Sequence, residues 1–217
     1  MVDTELVRRF NFARPVSLEM IPREEEVVAT NEGTLLRLSK EALENDMPEL
    51  LAMVKLAEKD PLLVTFKYQH GYNDTIIRYM VRFQNTCKPL LAAWAYRTLR
   101  ECAPDLYEKE IEEVWGVFWL LLGEHHKIIL KNLRDVTMGL SLFCILYERG
   151  LTDGIKLSFK NREAEWLNYV DILKRFTPMP ADVNLYTQIP VLINAEYRVS
   201  VEQDTEGKRC YNVVAIR

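Results

Sequence analysis

The sequence predicts a mainly α protein: a multi-helix globular bundle around a buried central helix, with a small β element made by a C-terminal hairpin that N-terminal strands can join. Three observations carry this expectation. Apolar residues recur at helical spacing through most of residues 34–176. Residues 114–122 (VWGVFWLLL) are apolar on every side of two helical turns, the mark of a helix buried among others or in an interface. Finally, Tyr197, Val199 and Val201 alternate with Arg198, Ser200 and Glu202, turn at residues 204–207, and return through Tyr211, Val213 and Ala215. That is the period of a half-buried hairpin.

Residues 1–33 read as an extended segment, because Pro15 and Pro22 forbid a continuous helix. Within it, residues 16–21 and 27–30 are candidate short strands, with a turn at 31–33. Residues 34–176 read as the helical core. Its first helix takes Leu35, Leu36, Leu38, Ala42 and Leu43 and stops at Asn45-Asp46. A second runs through Leu50, Leu51, Val54 and Leu56, and a third opens at Asp60-Pro61, an N-cap followed by proline at N1. Asn73 or Asp74 caps the next, which carries Ile76, Ile77, Tyr79, Met80 and Phe83; Pro89 starts another along Leu90, Leu91, Trp94 and Leu99. Ala103-Pro104-Asp105 breaks that helix and caps a long one, acidic in its first turns and ending in the apolar run. Two more are expected over 132–148, closed by Gly150, and over 161–176. Residues 177–217 form a proline-punctuated linker and the hairpin. A hairpin alone is marginal in water, so it is expected to pack on the helical core, pair with the N-terminal strands or extend a sheet on another chain; an open outer edge also predicts pairing beyond itself, with the helices surviving its removal.

Composition narrows the function classes. With 217 residues, 48% hydrophobic and 28% charged, the chain needs no disulfide or metal to form a core. Cys87, Cys102, Cys144 and Cys210 form no CxxC pair and read as reduced thiols, which points to an intracellular setting, cytoplasmic or nuclear. No apolar run approaches membrane-spanning length, so no membrane partner is expected. His125 and His126 are adjacent, about 100° apart on a helix, and lack the i, i+4 spacing of a zinc helix. There is no nucleophile elbow, and the isolated glycines draw no phosphate loop or dinucleotide fingerprint. The sequence therefore assigns no catalytic residue, no metal and no cofactor, and leans away from an enzyme.

Charge comes in blocks, which read as solvated faces whose opposite signs meet inside the monomer, as complementary patches joining one subunit to the next, or as a groove for RNA or DNA. Residues 61–100 carry Lys67, Arg78, Arg82, Lys88, Arg97 and Arg100 against Asp74 alone. Residues 101–126 reverse this, with Lys109 the sole base among seven acids, and Asp105, Glu108 and Glu112 share one helix face. Arg78 and Arg82 are four apart, as are Lys127 and Lys131, with Arg134 three further on; each set is expected on one helical face. The expected function is a non-enzymatic protein-interaction or self-assembly subunit, binding a protein partner or forming a homo-oligomer. The alternative is an RNA- or DNA-binding protein that uses the Arg78/Arg82 and Lys127/Lys131/Arg134 faces.

Overall fold

A computed structural model of the chain describes residues 4–22, 26–29, 33–41, 47–69, 73–122, 127–130 and 133–216. The fold is mainly α with a small β component, as the periodicity predicts. The helices are α1 (Thr4–Arg9), α2 (Met47–Lys59), α3 (Asp74–Cys102), α4 (Pro104–Leu121), α5 (Leu133–Glu148), α6 (Glu163–Phe176) and α7 (Val183–Leu192). Asp60 and Pro61 open a 3-10 turn, Pro61–Leu63, in which the Asp60 carboxylate accepts from Leu62 N at 3.0 Å.

Where the sequence predicts two helices meeting at Pro89, the structure has one helix of 29 residues. An interior proline costs about 3 kcal/mol. Burial of Cys87, Leu90, Trp94, Ala95 and Leu99, none more than 1% exposed, outweighs it. Between Thr86 and Leu99 only Lys88 is exposed and Arg97 half-buried. This stretch of α3, and not residues 114–122, is therefore the most deeply buried helical segment. In α4, Ile111, Val114 and Phe118 are buried on one stripe, while Val117, Trp119 and Leu120 stand on the open side.

The chain divides into two compact units, Met1–Lys67 with Trp94–Lys109, and Tyr68–Ala93 with Glu110–Arg217. The first holds a three-stranded sheet of β1 (Val16–Met20), β2 (Glu26–Ala29) and β3 (Thr34–Leu38), in the order β1-β3-β2. The central strand is parallel to β1 and antiparallel to β2. The sequence predicts a helix over 34–43, but residues 34–38 form this strand. Leucine's helical preference over strand formers is only a few tenths of a kcal/mol per residue. Ladders on both sides satisfy the β3 backbone, and Thr34, Leu36 and Leu38 point inward at period two. Helix α2 packs on β2 and β3 through a face that buries Leu50, Leu51, Val54 and Ala57. Its Glu58 carboxylate accepts from the backbone N–H groups of Ala13 and Arg14 and pairs with Lys55, so the N-terminal segment is tied to that helix.

The second unit contains three elements absent from the sequence expectation, two strands and a helix. Strands β4 (Lys127–Leu130) and β5 (Lys156–Phe159) pair in parallel, with α5 as the crossover between them. A β-carbon at Gly139 would lie 2.7 Å from Leu130 Cδ2, so this helix passes close to β4. Gly150, at φ 73°, ends α5 as predicted, with Leu151 N donating to Leu146 O at 3.0 Å. The stretch expected to be an extended linker contains α7, capped by Asp182, whose carboxylate accepts from Asn184 N at 2.8 Å.

The terminal hairpin forms as predicted from β6 (Tyr197–Gln203) and β7 (Arg209–Ala215). Asp204 holds the turn by accepting from Glu206 N and Lys208 N at 2.9 and 2.8 Å. The pair is its own sheet and is not joined by β1–β3 among the described residues. It docks on the N-terminal half of α3: Tyr197 stacks on Tyr79 at 5.1 Å, and Tyr211 meets Phe83 edge-on at 5.1 Å. On its β7 side, Tyr68 bridges Tyr211, whose carbonyl accepts from Gln69 N at 3.3 Å. Tyr197, Val199, Cys210, Tyr211 and Val213 are all buried. The hairpin is core, not an appendage.

Burial also sets how this unit responds to alkali. Desolvation raises the phenols of Tyr169, Tyr186 and Tyr197, the last to about 12. A raised acid pKa contributes stability that is full below the ordinary tyrosine value and is lost as pH climbs toward the folded value. Denaturant midpoints should therefore hold up to about pH 10 and fall steeply between about pH 10 and 12. A flat profile across that window would show that the three phenols ionise freely.

Candidate interaction surface

Helix α4 begins where Pro104 takes the first helical position and ends at Leu121. Its buried stripe recurs at Tyr107, Ile111, Val114 and Phe118. Apolar residues at 117, 119 and 120 fall outside that stripe, so a single helix cannot hide them against the core that holds Phe118. Leu120 is 84% exposed, Trp119 51% and Val117 47%. Beside them, Trp115, Trp119, Leu122, Leu151, Asp153, Gly154 and Ile155 wall an open hollow of about 160 Å³. Trp115 stands against Trp119 at 5.7 Å and Phe118 at 6.3 Å, tying the hollow's wall to the buried side of the helix. Gly154, at φ 78°, turns the facing loop. A β-carbon at Gly116 would meet nothing within 4 Å, so the helix surface between Trp115 and Leu120 is open.

The other residues singled out by the sequence are not brought together in the same way. Asp105 is held by Arg9, whose Nη1 donates to both carboxylate oxygens at 2.7 and 2.8 Å. Those bonds keep the Asp105 carboxyl below the usual carboxylate range. Glu108 and Glu112 are exposed on the same helix. Among the described residues no group of three or more His, Cys, Asp or Glu is placed to hold a metal. Arg78 is exposed and Arg82 half-buried, but Tyr79 between them is engaged by Tyr197 and by Glu196, to which its hydroxyl donates at 3.4 Å.

Of the basic residues expected on one helix face at 127–134, Lys127 opens strand β4 and Arg134 lies in the first turn of α5, so these two do not share a helix. Lys131, His70, His125 and His126 lie outside the described residues. All four cysteines are free thiols. Desolvation pushes the Cys87 thiol well up and Cys144 to about 12, so neither is a thiolate nucleophile at neutral pH.

Sequence reasoning missed Leu151, Asp153, Gly154 and Ile155 as parts of one surface with α4. The loop after α5 carries no periodic signal, and only folding brings it beside Trp119. The one signal that pointed there was the excess width of the apolar run, wider than one buried stripe requires. No helix among the described residues is long and apolar enough to cross a membrane. No protein-family model, curated protein or solved structure matches this chain.

Proposed function

We propose that this chain is a non-enzymatic protein-interaction subunit that engages its partner through the open face of α4 and the adjoining hollow. The observation that supports this is the exposure of Trp119 and Leu120 on the open side of α4, with Trp119 also walling a recess together with Trp115, Leu122, Leu151, Asp153, Gly154 and Ile155. Scattered exposed leucines are ordinary, but a half-exposed tryptophan at the edge of a recess is the form that interface anchors take. Covering apolar surface releases about 25 cal/mol per Å², so such a patch is a standing gain for any surface of complementary shape.

Covalent trapping tests this whatever the partner is. A photoreactive residue in place of Leu120 should form a protein adduct on irradiation in cells, and one in place of the exposed Glu165 should not. No adduct at 120 would remove the proposal. An adduct at Arg78 that nuclease treatment dissolves would instead support the nucleic-acid reading of the basic residues.

A further inference from the structure

We draw no further inference here: the strongest candidate, the hollow that Trp115 and Trp119 of α4 share with the loop at residues 151–155, belongs to the site already described, and nothing in the structure shows what covers it.

Discussion

Replacing Phe118 with alanine should destabilise the protein by about 3–5 kcal/mol, whereas Leu120→Ala should change stability by less than about 0.5 kcal/mol. The two residues are two positions apart in the same apolar run. Phe118 is fully buried, and Leu120 is 84% exposed. Truncating the phenylalanine leaves a cavity that neighbours fill only partly, so transfer and cavity costs add. Truncating the leucine gives back surface that was already in water. Chemical denaturation of both variants, with an unchanged denaturant slope, provides the check. Equal costs at the two positions would mean the wrong face of α4 is turned inward. The contrast also separates stability from binding, because Leu120 is the position at which partner contact should be most sensitive.

Removal of residues 197–217 should unfold the unit formed by Tyr68–Ala93 and Glu110–Arg217. The hairpin contributes Tyr197, Val199, Cys210, Tyr211 and Val213 to the core. It also covers the aromatic face of α3 at Tyr79 and Phe83. Losing several buried side chains at about 1.5–3 kcal/mol each exceeds what a domain with a total stability of about 5–15 kcal/mol can absorb. The far-UV helical signal should fall and the cooperative transition of that unit should vanish. A truncated chain that keeps its helical signal and transition would favour the reading in which the hairpin is an edge awaiting another strand over the one in which it packs on the helical core.

The elements that were legible are those in which a local rule and the tertiary environment agree. Asp60-Pro61 opens a turn, Pro104 opens a helix and Gly150 closes one, because caps and left-handed residues act over one turn of chain. The hairpin register follows from period-two alternation and the Asp204 turn. The misreadings share one cause, in that a local signal met a stronger non-local term. Pro89 looks like a boundary, yet burial around it keeps α3 continuous. Leu35 to Leu38 look helical, yet β1 and β2 claim their backbone from both sides. The four-residue strands β4 and β5 are too short to show a period, and they exist because α5 returns the chain alongside itself.

The candidate surface shows the same division. Composition and periodicity by themselves determined a mainly α fold with a terminal hairpin, and they showed that residues 114–122 are apolar on more sides than one helix contact uses. Which of those sides is spent on the core was decided only by tertiary structure. Phe118 went inward with Ile111 and Val114, Trp119 was left beside the loop at residues 151–155, and Leu120 was left exposed. The physical reason is that hydrophobicity is a property of a residue and can be read one letter at a time, whereas burial is a property of what packs against it. A helix covered on one stripe and a helix covered on all sides can therefore share a sequence pattern, and only the neighbours tell them apart.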